Sequence, residues 1–244
     1  MDHGEVLERP GLLSAGKYYT ECNFWYDMNG GMSNPPGLRD RKKQETRQAI
    51  SNVATQLFVE RGFDRVSVDV VAREAGVARK TVFNYFARKE DLVFDREAEG
   101  RALVREAIAG RGRASPVHAF QALMRTLVES GHPLFRISER PIQFWRMVAD
   151  SPALTARARE LQVMLADDLA GLLSDAAGRP PFDPEARLAA AMLMAALVVA
   201  YAEALRVFRE GGEPGPAFTR LMERGFTGVD TALAGTPYVG RPAG

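Results

Sequence analysis

A single cysteine, Cys22, serves a chain of 244 residues, so no disulfide can form within it. That scarcity suits a reducing compartment, the cytoplasm. Histidine is almost as rare, and His118 and His132 have no Cys, Asp or Glu at metal-binding spacing, so neither a metal nor a cofactor is expected. Lysine is outnumbered by arginine, 5 to 27, which together with abundant Ala and Gly reads as a GC-rich coding bias. No charge of one sign dominates: the net charge is +1, so affinity for a polyanion has to come from local clustering. The longest apolar run, Leu188 to Ala202, ends at Glu203 after 15 residues. A spanning helix needs about 20, so no membrane is expected, and the run reads as a helix buried in a bundle or a subunit interface. The first 31 residues have no charged start followed by an apolar stretch, which excludes a secretory signal, and Met32 offers a second plausible start. G-x-S-x-G, a Walker lysine loop and H-E-x-x-H are all absent. Gly110-Arg111-Gly112 follows no strand, so it is no dinucleotide fingerprint, and no catalytic residue is expected.

What is present reads as an all-α protein. Hydrophobic residues make 46% of the chain and charged residues 26%, ordinary for a folded globular protein. Ile50, Val53, Ala54, Leu57 and Phe58 line one helix face, and Gly62 ends that helix. Ser67 caps a short second helix that stops near Ala75, and a third runs from Arg79 to Phe86. A fourth is expected from Lys89 to Ala109. Ser115-Pro116, Ser151-Pro152 and Asp183-Pro184 each place a cap before a first-turn proline, opening helices to about Ser130, Ala177 and Arg209. Further helices are expected over Pro141–Asp150 and Pro216–Leu233. The resulting division is an N-terminal extension (1–38), a small three-helix unit (39–88), a larger helical unit (89–235) and a flexible tail (236–244).

The small unit holds the charge. Between Arg39 and Arg96 stand 13 Lys or Arg against nine Asp or Glu. Within it, Ser67 to Phe86 has two short helices joined at Gly76, the helix-turn-helix arrangement. Val71, Ala75, Val77, Val82 and Phe86 are spaced to pin the helices together. On the second helix Lys80, Thr81, Phe83 and Asn84 spread over the opposite arc, with Arg79 beside them. Lys can donate to guanine, Asn can pair with adenine, and Thr and Phe can meet a thymine methyl, so this arc suits a DNA major groove. Ser67, Val68 and Asp69, at the start of the preceding helix, complete the expected DNA-facing set. Lys89 is expected to hold a phosphate at the start of the fourth helix.

These residues resemble a known family. The helix with Ala54, Leu57, Phe58 and Gly62-Phe63, the stretch Ser67-x-x-x-Val71-Ala72-x-x-Ala75-Gly76-Val77, and Thr81-Val82-Phe83-Asn84-Tyr85-Phe86-x-x-Lys89-Glu90-Asp91-Leu92 together look like the DNA-binding domain of the TetR family of bacterial transcriptional regulators. The resemblance covers about 55 residues, from Arg41 to Arg96. It implies a homodimer on a palindromic operator, released by a ligand in the larger domain, and a phosphate contact from the Tyr85 hydroxyl. Two positions depart from the pattern: Ala78 is a weak cap where Ser or Thr is usual, and Arg79-Lys80 is bulky and cationic.

In the larger unit Phe120, Met124, Leu127, Phe144, Trp145 and Val148 are the candidates to line a cavity for a small hydrophobic ligand, with signalling through the helix that starts at Lys89. Leu188, Met192, Leu193, Leu197 and Val198 are the candidates for the dimer interface. The leading expectation is a ligand-released repressor. The alternatives are a DNA-binding activator without a ligand, and a helical small-molecule-binding protein or enzyme whose helix-turn-helix is incidental.

Overall fold

A computed structural model describes residues 38–136 and 138–240. These form nine α-helices and no strand. They are α1 (Leu38–Arg61), α2 (Val68–Glu74), α3 (Arg79–Tyr85), α4 (Glu97–Ala109), α5 (Pro116–Glu129), α6 (Glu139–Asp150), α7 (Pro152–Ala176), α8 (Pro184–Arg209) and α9 (Pro214–Ala232), with short 3-10 turns at Phe63–Arg65 and Glu90–Leu92. The chain divides into two compact units between Gln44 and Glu45. The described portion of the first is the opening of α1; the second holds everything from Glu45 to the described C-terminal end. Cys22 and nearly all of the expected N-terminal extension lie outside the described residues.

Local chemistry explains most element ends. The Ser67 hydroxyl accepts from the Val70 N–H at 3.3 Å and starts α2. Ser115 does the same for α5, Ser151 for α7, and the Asp183 carboxylate accepts from two N–H groups at the start of α8. Each of those three caps precedes a proline in the first helical turn, where the missing N–H costs nothing. Gly62 turns the chain at φ +87°, and Phe63 folds back against Phe58 with ring centroids 5.0 Å apart.

Two expected elements differ. The helix expected from Lys89 is a single 3-10 turn at Glu90–Leu92, and the continuous helix, α4, starts only at Glu97. The tail expected to be flexible from residue 236 instead carries core residues: Tyr238 is fully buried, Val239 nearly so. The Val117 N–H donates to the Tyr238 carbonyl at 3.1 Å, which ties the tail to the start of α5.

The apolar interior forms two clusters. One gathers Ile50, Ala54, Leu57, Phe58, Val71, Val82 and Phe86 from α1 to α3, and is completed by Met147, Val148 and Leu154 of α6 and α7. The other lies among α4, α5, α7, α8, α9 and Tyr238. In this second cluster α8 buries Ala186, Ala189, Ala190, Leu193, Ala200 and Ala204, a small-residue face that lets neighbouring helices approach closely. At Gly225 of α9 a Cβ would collide with the Cβ of Ala196.

Candidate nucleic-acid interface

The α2–turn–α3 segment is anchored from below. Val71 and Val82 are buried, and Gly76 takes φ +67° between the helices, a conformation that favours glycine. The Val77 N–H donates back to the Ala72 carbonyl at 2.9 Å, closing the turn. Ala78 starts α3 without a side-chain cap, as its small side chain dictates. Orienting α3 therefore falls to packing and to its far end. There Arg47 of α1 donates to the Tyr85 carbonyl at 2.6 Å and lies over the Phe86 ring at 4.3 Å. Nothing in the sequence around Arg47 signals this role, because its partners are 38 residues away.

With Val82 turned inward, Lys80, Phe83 and Asn84 are exposed and Thr81 is half-buried, so the outward arc expected from the helical wheel is present. Its charges are not equivalent. Arg79 pairs with Asp69 of α2 at 3.0 Å, and its guanidinium sits 5.5 Å from the Phe83 ring centroid. The pair is well exposed on both sides, so it contributes about 0–1 kcal/mol and yields readily to a stronger anion. Lys80 has no ion-pair partner among the described residues, which leaves it the uncommitted cation of the arc. Ser67 and Asp69 are exposed beside it, Val68 and Tyr85 are half-buried.

Lys89 is placed otherwise than expected. Its ammonium donates to the Phe63 carbonyl at 2.6 Å and sits over the Phe63 ring at 4.0 Å. Burial pushes its pKa down, with Asp64 and Glu90 opposing. An amine spent on a carbonyl and a ring is a fold tie between α1's exit and the turn after α3. It is not a side chain waiting at a helix start, because no long helix starts there.

The expected ligand-lining residues divide between the two cores. Phe120, Met124 and Leu127 are buried in the cluster built on α8, whereas Val148, Phe144 and Trp145 belong to the cluster under α1 to α3. A chain of edge-to-face rings joins the two: Phe94–Phe144–Trp145–Tyr201–Phe218–Phe135, with neighbouring centroids 5.3–6.4 Å apart. Burial raises the pKa of Tyr201, its hydrogen bond with Trp145 acting in the other direction. An open groove of about 360 Å³ lies instead between α7 and α8, lined by Ala166, Asp167, Ala170, Pro184, Arg187, Leu188 and Ala191. Leu188 lines that groove; none of the six expected ligand residues does.

Of the expected dimer residues, Leu188 and Val198 are exposed, at 48% and 44%, and Met192 and Leu197 are half-buried. Leu193 is corrected: it has no exposed surface, because its face of α8 is used inside the chain. Val199, exposed at 55%, takes its place on the outer face. α8 is also long and apolar enough to cross a membrane by length and composition, a test that core helices pass as well.

Comparison with known proteins bears on residues 50–95, which match the N-terminal domain of the bacterial regulatory proteins of the tetR family. The regulator MftR of Mycobacterium tuberculosis is 51% identical over 52 residues, 21% of this chain and 26% of that protein. The HTH-type transcriptional regulator TcmR of Streptomyces glaucescens is 37% identical over 59 residues, 24% of this chain and 26% of its own. The chain thus matches about a quarter of the length of these curated relatives. Among solved structures, NalD of Pseudomonas aeruginosa, the secondary repressor of the MexAB-OprM multidrug efflux pump, superposes with a TM-score of 0.51 at 22% identity, covering 76% of this chain and 97% of NalD. A SmeT–triclosan complex gives 0.50 at 20% identity, covering 75% and 91%. These two likenesses extend the shared fold well beyond residues 50–95.

Proposed function

We propose that this chain, whose residues 50–95 match the bacterial regulatory proteins of the tetR family, is a member of that family and a cytoplasmic transcriptional repressor. It binds a palindromic operator as a homodimer and leaves it when a small hydrophobic ligand enters the larger helical unit. The observation that carries the reading is the exposed arc Lys80, Thr81, Phe83 and Asn84 on a helix whose opposite side, Val82, is buried. Phe83, exposed at 42% beside the Arg79 guanidinium, offers an apolar face that fits a thymine methyl in a groove. Ser67 and Asp69 flank the arc; the Ser67 oxygen accepts the cap bond, which leaves its O–H to donate to a phosphate.

Dimerisation is supported by the outer face of α8. Leu188, Val198 and Val199 stand exposed there, next to Ala191 and Ala195. Burying such a strip against a second copy gains roughly 25 cal/mol for each Å² of apolar surface removed from water. A two-fold pair then sets two α3 helices about 34 Å apart, or a multiple of that. For the ligand, the Trp145–Tyr201 contact is the favoured place, because it joins the two cores through aromatic rings.

The test is selection. The purified protein is incubated with a random-sequence duplex pool, and the retained DNA is sequenced. The reading expects an inverted repeat with half-sites about one helical turn apart, or a multiple of it. Retained DNA without any shared sequence overturns it.

A further inference from the structure

The chain leaving α3 is bound to α7 by a closed ring of hydrogen bonds that carries four charged side chains. The Arg88 backbone N–H donates to Asp91 Oδ2 at 3.1 Å. Asp91 Oδ1 accepts from Arg157 Nε at 2.9 Å and from its terminal nitrogen at 2.8 Å. The other terminal nitrogen of Arg157 donates to Glu160 Oε2 at 3.0 Å, and Arg88 donates to that same oxygen at 2.9 Å. Three nitrogens of one guanidinium are thus committed to two carboxylates. The ring contains two cations and two anions, so it is self-neutral and adds nothing to the attraction for DNA.

Its two halves differ in burial. Asp91 and Arg157 are exposed at only 18% and 16%, Arg88 and Glu160 at 57% and 50%. The inner pair is therefore poorly screened by salt, while the outer pair shields it. A second tie lies nearby, where the Ser151 hydroxyl donates to Asp64 at 3.3 Å. Both ties hold the first turns of α7, and Leu154 between them is fully buried in the cluster under α1 to α3. The far half of the same helix places Leu169, Ala170 and Leu173 in the other cluster, and Asp168 there pairs with Arg101 of α4. At 1.5 Å per residue, the 25 residues of α7 span about 37 Å. One continuous helix thus contributes at one end to the cluster under α1 to α3 and at the other to the cluster that holds α8.

We infer that Arg157, held in the ring with Arg88, Asp91 and Glu160, is a positioning residue that sets which separation of operator half-sites the dimer accepts. This rests on the repressor reading above. Arg88 is only three residues beyond the end of α3, so play at the ring becomes play in the recognition helix. One base-pair step moves a half-site by about 3.4 Å and turns it by about 35° around the duplex axis, so a differently spaced repeat is matched only if the recognition helix can both shift and tilt. A lysine cannot replace Arg157, since a single ammonium cannot hold the two carboxylates in a planar fork.

The experiment uses the full chain and the inverted repeat recovered from the random pool, with the half-sites moved apart or together by one base pair. Wild type should prefer the recovered spacing by at least about tenfold, the cost of one mismatched step. Arg157→Ala and Arg157→Lys should bind all three spacings within about threefold of one another, and Glu160→Gln should fall between. Arg125→Ala serves as the comparison, because Arg125 ties α5 to α9 through Glu223 at 2.7 and 2.8 Å and touches nothing near α3. It should lose stability and keep the spacing preference. Glu160 is half-exposed, so its variant answers the question if the Arg157 variants do not fold. An unchanged spacing preference in the Arg157 or Glu160 variants overturns the inference alone, as does an equal loss of preference in Arg125→Ala. A pool that returns no inverted repeat overturns the repressor reading and the inference with it.

Discussion

Lys80 and Lys89 are nine residues apart, of one type, and opposite in setting, one exposed and one tied into the fold. Lys80 stands free on the arc of α3, so Lys80→Ala should cost about 1–3 kcal/mol of operator binding and relax preference at one position per half-site, read by titration against base-substituted repeats. Its thermal stability should stay within about 0.5 kcal/mol of wild type. Lys89 donates a charged hydrogen bond to the Phe63 carbonyl and lies over the Phe63 ring, and its removal loses both contacts, leaving that carbonyl only the Val66 N–H at 3.3 Å. Lys89→Ala should therefore lower folding stability by about 1–3 kcal/mol in chemical denaturation. Sequence spacing made Lys80 legible because a helical wheel is a local property. It misplaced Lys89 because the amine's partner is 26 residues back, a tertiary contact that no local pattern specifies. His132 supplies a pH effect. Burial holds its pKa below the ordinary 6.5, Glu99 opposing and Arg96 assisting. The unfolded chain then takes up the proton more readily than the folded one, so this contribution to stability is complete above pH 6.5 and is lost as the pH falls through the depressed value. Melting curves between pH 8 and 5 should show that decline, and His132→Gln should flatten it.

Helix ends were the most legible feature of the fold. Ser115-Pro116, Ser151-Pro152 and Asp183-Pro184 mark the starts of α5, α7 and α8 because cap and proline chemistry act within four residues. The stretch after Lys89 was not legible. Leu92 and Val93 are both buried in the core under α1 to α3, a tertiary contact made by a single 3-10 turn before α4 begins at Glu97. The tail was misjudged for a related reason: glycine and proline around Thr236 to Val239 suggest mobility, yet Tyr238 fills a site beside Ser174 and Asp183. Helix contact also hid the role of Gly225, which lies where α9 crosses Ala196 of α8. Gly225→Ala gains about 1 kcal/mol of helix propensity but has to push α8 and α9 away from each other. Overpacking of this kind costs about 1–3 kcal/mol, so the substitution should be neutral to destabilising by about 2 kcal/mol, never stabilising, in urea unfolding.

For the molecule as a whole, an apolar α8 face and a charged, groove-shaped α3 face belong to one mechanism only if two copies act together. Val199→Arg places a charge on the outer face of α8 without disturbing the buried one, and should convert the dimer to monomers in sedimentation while the chain stays folded. Operator binding should weaken in step, since two half-sites are then read independently. The fold class and the reading helix were visible in the sequence; the split of the expected ligand residues between two cores was not, because helical spacing tells which side of a helix is apolar but not which neighbour covers it. The central claim is that α3 reads sequence. Its most direct measurement is a binding titration of wild type and Lys80→Ala against the recovered repeat and against a scrambled duplex of equal length, repeated at two salt concentrations. The account predicts that wild type favours the repeat by about a thousandfold or more, and that Lys80→Ala gives up some of that preference at both salts. Equal affinity of wild type for the repeat and the scrambled duplex would contradict it.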